Sequence, residues 1–352
     1  MTFSETIINW YEKNKRNLPW RETNDPFKIW LSEIIMQQTR IDQGKDYYLK
    51  FIGRFDNVTM LAEAPEDEVL KLWQGLGYYS RALNAHATAK EISSKLKGVF
   101  PSDFVSLSNL KGIGKYTASA ILSIAYNQPF SVVDGNVKRF ISRLFGIRTP
   151  YYSLKGEKPY YDIMDSLLDK DQPGIFNQAV MEFGALLCTP KNPGCANCPF
   201  VDTCVAFKEN KVFNYPVKIK TVSQQNLFYH YLFIYNIENS TFYLTKRNSK
   251  TIWKNMYELP LIEAPESLSL IKLQETQEWK QFMQNIKYAV SPEVNSYRHI
   301  LSHRIIHARF YSLAASVISS VPDHFIAISS NEIEKYAVPR LIDRFLKEKN
   351  IG

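Results

Sequence analysis

The first residues with chemistry in them are the cysteines. The sequence has four, and all fall in one segment, Cys188-x6-Cys195-x2-Cys198-x5-Cys204. Thiols gathered this way are spaced to hold a metal group. Disulfides would need partners spread through the fold and an oxidising compartment, and nothing in the sequence suggests either. Zinc usually takes two Cys-x2-Cys pairs across a longer spacer, whereas one loop winding four thiolates around a cubane suits a [4Fe-4S] cluster, with zinc as the alternative. The four exhaust the thiols and leave none as nucleophile or redox partner.

A second signal is Leu110-Lys-Gly-Ile-Gly-Lys-Tyr-Thr-Ala118, between two predicted helices. Gly112 and Gly114, one residue apart, let the backbone turn tightly, so amides at the start of the second helix can hold a phosphate while Lys111 and Lys115 add charge. This is the pattern of a helix-hairpin-helix. By itself a G-x-G between helices is more often an ordinary turn. Two carboxylates complete the set. Glu33 is placed on a helix among Ile29, Leu31, Ile34 and Ile35, where lost solvation would raise its pKa and let it deliver a proton near neutrality. The competing reading is a solvated surface carboxylate. Asp134, in Val133-Asp-Gly-Asn-Val137, stands near a helix start, where an N-cap is the competing role.

The elements that must position these groups divide the chain. Residues 1 to about 208 carry apolar residues at three and four spacing, as in Glu66–Trp73 and Ala118–Tyr126, which predicts an all-α domain. Residues 209–225 lack a helical period, contain Pro216 and are basic, which predicts a linker. From 226 the period changes to two: strands are predicted over Leu227–Tyr235 and Thr241–Thr245 around a turn at Glu238–Ser240. A smaller α+β domain over 226–352 is expected. Lys and Arg outnumber Asp and Glu by 43 to 35, a net charge of +8 that favours a polyanionic partner. No apolar run reaches membrane-spanning length, and the N-terminus lacks a basic start followed by an apolar core. A cytoplasmic, nucleoid-associated monomer is expected.

Hairpin, Val133–Val137 and cysteine loop, in that order, resemble the endonuclease III superfamily of helix-hairpin-helix DNA glycosylases, and within it the A/G-specific adenine glycosylase (MutY) family. The similarity runs through Leu18-Pro-Trp-Arg21, Trp30-Leu-Ser-Glu-Ile-Ile-Met-Gln-Gln-Thr-Arg40, Gly75-Leu-Gly-Tyr-Tyr-Ser-Arg81 and Phe176-Asn-Gln-Ala179. It implies a base-excision-repair enzyme acting on double-stranded DNA that hydrolyses the glycosidic bond of adenine opposite 8-oxoguanine or guanine, with a [4Fe-4S] cluster and no catalytic metal. Glu33 matches the acid that protonates adenine N7. Asp134 matches the carboxylate that stabilises the oxocarbenium sugar, either through its charge or covalently as in retaining glycosidases. Tyr116 stands where bifunctional relatives place a Schiff-base lysine, and a phenol cannot form an imine, so a monofunctional glycosylase is implied. The alternatives are a bifunctional glycosylase/lyase and a non-catalytic iron-sulfur DNA-binding protein.

The resemblance also assigns Arg21, Gln38, Tyr116 and Gln178 to the flipped adenine, with Gln178 standing where some relatives carry Glu. Gln38, Leu76 and Tyr78 match positions that probe or intercalate beside the lesion. The second domain resembles a Nudix-like module that reads 8-oxoguanine without hydrolysing anything, since no metal-binding box follows Trp253–Pro260. His299-Ile-Leu-Ser-His303 corresponds to the family's Phe-Ser-His lesion-sensing loop, with Leu301 in place of Phe, leaving Ser302 and His303 to hydrogen-bond the oxidised purine. His303 and His307, four apart, could mimic a metal pair, against which surface or core histidines are the simpler reading.

Overall fold

The computed structural model describes residues 1–150, 156–217, 224–236, 238–248 and 252–351. The chain forms two compact units, Met1–Glu63 with Asn84–Lys220, and Ala64–Leu83 with Thr221–Gly352. A single cut at the linker was expected, and the difference lies in 64–83. Its helical pattern is like that of its neighbours in sequence, but its polar side chains bond to residues far along the chain, which periodicity cannot reveal. Of the expected linker, residues 218–223 lie outside the described residues.

The first unit is helical: α1 (Phe3–Asn14), α2 (Pro26–Met36), α3 (Ile41–Arg54) and α4 (Val58–Glu63) precede the inserted segment. That segment contains α5 (Glu66–Trp73) and leads into α6 (Ser80–Lys95). There follow α7 (Phe104–Asn109), α8 (Lys115–Ala125), α9 (Gly135–Phe145), α10 (Lys158–Leu167), α11 (Pro173–Leu186) and α12 (Val205–Lys208). Buried Ile7, Val137, Phe140, Ile141, Met164, Phe176, Val180 and Phe183 join α1, α9, α10 and α11 in one core, against which Cys188, Cys198 and Cys204 pack. The Phe176–Ala179 string divides by helical angle. Phe176 and Ala179 face the core, while buried Asn177 accepts from the Val132 N–H (3.0 Å) and donates to the Phe130 carbonyl (2.8 Å). A side-chain amide thus stands in for a β-partner along the extended run leading to Asp134, satisfying backbone groups that burial would otherwise orphan.

In the second unit the strands are β1 (Gln225–Asn236), β2 (Thr241–Lys246), β3 (Tyr257–Glu258), β4 (Leu261–Ala264), β5 (Ile286–Ile300), β6 (Arg304–Ile318) and β7 (Phe325–Ser329), with helices α13 (Leu270–Gln274), α14 (Gln277–Met283) and α15 (Arg340–Glu348). The sheet order is β3-β2-β1-β6-β5, with β4 on β1 and β7 on β2. It is mixed, because β1 runs parallel to β6 and antiparallel to β2 and β4. Leu232, Ile234, Leu273, Trp279, Met283 and Leu313 form its core. Arg247, just past β2, is buried and donates to Glu258 (2.8 Å), Glu263 (2.7 Å) and the Tyr229 hydroxyl (3.1 Å). Residues 301–303 form the tip of the long β5–β6 hairpin, closed by Leu301 N–H donating to the Arg304 carbonyl (2.8 Å).

Candidate active site

A cavity of about 970 Å³ opens in the first unit, lined by Arg21, Glu33, Gln38, Gly114, Lys115, Tyr116, Asp134 and Gln178 among others. Five separate stretches of sequence, from the turn at Pro19–Arg21 to α11, thus bring the proposed acid, its partner carboxylate and the expected base pocket together.

Glu33 projects from α2, whose Ile29, Trp30, Ile34 and Ile35 are buried. Its side chain reaches the cavity, so it keeps intermediate exposure. Burial pushes its pKa up to about 7, a hydrogen bond from Tyr116 works against the rise, and the Asp134 charge adds to it. Tyr116, on the first turn of α8, is itself pushed well above the ordinary phenol value, by burial first and then by the two carboxylates, so it stays a donor. Its hydroxyl also lies 3.7 Å from Met181 Sδ.

Asp134 is the N-cap of α9: Oδ1 accepts from the Val137 N–H (2.7 Å) and Oδ2 from Asn136 Nδ2 (2.7 Å). The capping role and a chemical role coincide in one carboxylate. Burial raises its pKa, and those same donors oppose the rise. A chain of bonds continues from it. Arg139 Nη2 donates to Asn136 Oδ1 (2.9 Å), and Arg139 Nε donates to the Cys188 carbonyl (2.8 Å), tying the cap to the first cysteine. The approach of α11 to this cap requires Gly184, where a Cβ would meet the Asn136 carbonyl oxygen at 2.6 Å.

One wall of the cavity was not anticipated. Buried Glu182, one helical turn beyond Gln178 on α11, takes Arg16 (2.9 and 2.5 Å) and Arg21 (3.0 and 2.7 Å). Burial works to raise the Glu182 pKa, but the two guanidinium groups overcome it and hold it at about 2. Arg21 therefore enters the pocket already paired, and Tyr11, which donates to Gln178 Oε1 (2.8 Å), sits under its guanidinium. The i,i+4 spacing of Gln178 and Glu182 was the available signal. Arg16 and Tyr11 had none, being over 160 residues from their partners.

The hairpin between α7 and α8 is formed. Gly112 takes φ +79°, and Gly114 caps α8 with no side-chain bond to the first amides. Lys111 is exposed. Lys115 is exposed too, with its Nζ 3.3 Å from the centroid of the Tyr161 ring, a cation–π contact. In the second unit, the Tyr78 and Ser302 hydroxyls are 2.5 Å apart, while His303 is exposed beside them in sequence. Leu76 is only 8% exposed, so in this conformation it is packed in protein, and Tyr78, 46% exposed, is the side chain presented. His307 starts no helical pair with His303. It lies within β6, stacked on Phe228 and bonded to Asn226 Oδ1 (2.9 Å).

Cys188, Cys195, Cys198 and Cys204 line one further cavity, walled by Phe140, Leu144, Leu187 and Phe200. Arg143 Nη1 donates to Cys188 Sγ (3.4 Å). No three His, Cys, Asp or Glu side chains among the described residues converge on the position of a single ion. The donor set is all thiol, which suits a thiolate-bound metal group, and Arg143 is buried beside it.

Residues 31–155 match the HhH-GPD superfamily of base excision DNA repair proteins, and residues 230–348 match the NUDIX domain. The chain is 38% identical over 262 residues to an adenine DNA glycosylase of Buchnera aphidicola subsp. Schizaphis graminum, covering 73% of this chain and 74% of that protein. It is 37% identical over 307 residues to the adenine DNA glycosylase of Buchnera aphidicola subsp. Acyrthosiphon pisum, covering 87% and 84%. Among solved structures, a thermostable thymine-DNA glycosylase superposes with a TM-score of 0.55 at 27% identity, covering 59% of this chain and 95% of that one.

The two neighbours of Glu33 act on its pKa with opposite signs, which gives a direct check. Its carboxyl, followed by carbon NMR, is expected to titrate near 7. Asp134→Asn removes a like charge and should lower that midpoint, whereas Tyr116→Phe removes a donor to the carboxylate and should raise it. Shifts of the same sign in both variants would contradict this arrangement.

Proposed function

The chain belongs to the adenine DNA glycosylase family, and from that premise we propose that it excises adenine from 8-oxoguanine:adenine mispairs, and from guanine:adenine mispairs less readily, as a monofunctional enzyme. The observation that carries the chemistry is the pairing of Glu33, held near pKa 7, with Asp134 in one cavity. At neutral pH a large share of Glu33 is protonated and can deliver its proton to adenine N7, turning the base into a neutral leaving group. Asp134, fed by the Val137 N–H and the Asn136 amide, is the carboxylate arranged to carry negative charge opposite the developing oxocarbenium ion. Tyr116 donates to Glu33 and holds it towards the base. The base pocket is the wall built from Arg21, Gln178 and Glu182, with Gln38, at φ +55°, on its rim.

DNA is the partner. Unpaired amides at the start of α8, with exposed Lys111, suit a backbone phosphate. The four cysteines would hold a [4Fe-4S] cluster that braces the loop 188–204 and takes no part in the hydrolysis. In the second unit, the Ser302 hydroxyl keeps a lone pair for the N7–H of 8-oxoguanine whichever way the bond to Tyr78 runs. Guanine N7 is an acceptor and offers no such proton, so this contact discriminates.

Four measurements test these assignments. Glu33→Gln keeps the shape without the proton, so single-turnover release of adenine should fall by at least ~10²-fold with DNA binding retained. Wild-type product should be an intact abasic strand that breaks only on alkaline treatment. Activity within a few-fold of wild type would remove Glu33 as the acid.

The purified protein should be brown and contain iron and sulfide in equal amounts. A colourless, fully active protein with one zinc would overturn the cluster.

Replacing Ser302 and His303 together by Ala should lower the preference for 8-oxoguanine:adenine over guanine:adenine by roughly 5- to 100-fold, the equivalent of about 1 to 3 kcal/mol. An unchanged preference would place lesion sensing elsewhere.

A further inference from the structure

Helix α5 lies in the helical half of the sequence but is grouped with the C-terminal residues, and its polar side chains show what holds it there. Asp67 Oδ1 accepts from Lys246 Nζ (2.6 Å), and Oδ2 accepts from the Tyr257 hydroxyl (2.8 Å). Glu66 Oε1 accepts from Asn255 Nδ2 (2.7 Å). One turn on, Lys71 Nζ donates to the Tyr336 carbonyl (3.2 Å), and at the C-terminus of the helix Gln74 Oε1 accepts from the Val338 N–H (3.2 Å). Asp67, Lys71 and Gln74 are spaced i, i+4, i+7, so they form a single row along one helix face. The row ends where the loop carrying Tyr78 begins.

We propose that this row is a docking strap by which the second unit sets the position of Tyr78 against Ser302, making Asp67 a positioning residue for recognition of the base opposite adenine. The proposal rests on the reading of Ser302 as a lesion sensor. Two physical points support it. A lone ion pair with partners 41% and 38% exposed, as Lys246 and Asp67 are, contributes little to stability, so a multi-membered row made of such contacts serves geometry better than energy. The loop it leads into also needs outside support. Gly75, Gly77 and Tyr78 take φ values of +100°, +76° and +49°, and a tyrosine in the left-handed region is held there only by its surroundings. A contact between two hydroxyls tolerates displacements of only about 0.5 Å, so moving the base of the loop should uncouple them.

The test uses the full-length protein with Asp67→Ala, Lys246→Met, Asp67→Glu and, as a reference, Ser302→Ala. Single-turnover adenine excision and affinity are measured on 8-oxoguanine:adenine and guanine:adenine duplexes. Asp67→Ala and Lys246→Met should each lower the 8-oxoguanine preference by at least about 5-fold, the lower end for loss of one discriminating contact. Their guanine:adenine rates should stay within about twofold of wild type, and Asp67→Glu, which keeps both acceptors, should retain much of the preference. Two independent variants guard against misfolding of either one. If Ser302→Ala lowers the preference while neither strap variant does, the strap is refuted and the lesion reading stands. Equal losses on both duplexes would make α5 ordinary scaffold and also refute it. A preference insensitive to Ser302→Ala overturns the lesion reading and the strap with it.

Discussion

An enzyme that removes a base by protonating it must keep a carboxylic acid charged with its proton at a pH where carboxyls in water have lost theirs. Under the proposed function that requirement falls on Glu33, which projects into the cavity from a helix whose Ile29, Trp30, Ile34 and Ile35 are buried. The same burial acts on Asp134, a few side chains away, whose task needs the opposite state. Burial alone cannot give two neighbouring carboxyls different protonation. Directed donors can, and they are distributed unequally. Asp134 receives a backbone N–H and an amide at the start of α9, where the helix dipole also favours negative charge. Glu33 has the Tyr116 phenol. The two carboxyls thus differ in the donors that oppose burial, and on the proposed reading the better-supplied Asp134 is the anion.

Much of the first unit follows from fixing the start of α9. Asn177 pins the backbone before Asp134, Gly184 lets α11 close on the peptide after it, and Asn136 and Arg139 connect the cap to the Cys188 carbonyl. The loop of cysteines thus lies at the far end of a hydrogen-bonded line from the catalytic carboxylate. Filling that loop with a metal group would stiffen Cys188, and through Arg139 the position of Asn136.

Legibility in the sequence tracked the range of the interaction. The cysteine spacing, the glycine pair of the hairpin and the apolar setting of Glu33 are local patterns, and the hairpin turn, the shared cysteine cavity and the half-buried carboxyl are all present. Asp134's place before α9 offered an N-cap, and the N-cap is formed. The rest depends on contacts that no window of sequence contains. Arg16 carried no signal and Arg21 only a place at the base, and no window of sequence shows that both close on Glu182, over 160 positions away. The Tyr161 ring under Lys115 had no signal in the sequence, and Leu76 was expected to be presented and is buried. Helix α5 has the length and period read from the sequence, with the bounds Glu66–Trp73, yet nothing in that period tells which part of the chain it will join.

The loop after α5 shows why such joining matters. Between Gln74 and Ser80 the chain reverses using positive φ at two glycines and a tyrosine, and backbone in that region costs roughly 1 to 3 kcal/mol for a residue with a side chain. The loop retains the conformation because it is gripped at several points: Trp73 Nε1 donates to the Gly77 carbonyl (3.0 Å), as does Arg81 Nη2 (3.2 Å), and the Gly75 N–H donates to the Tyr79 hydroxyl (3.1 Å). Arg81 also lies across the Trp73 and Tyr78 rings. An element strained in itself and gripped from outside can be displaced in a few discrete ways rather than continuously, because each grip is either made or broken. Tyr78 is the exposed end of that element, and its hydroxyl reaches the hairpin tip of the sheet.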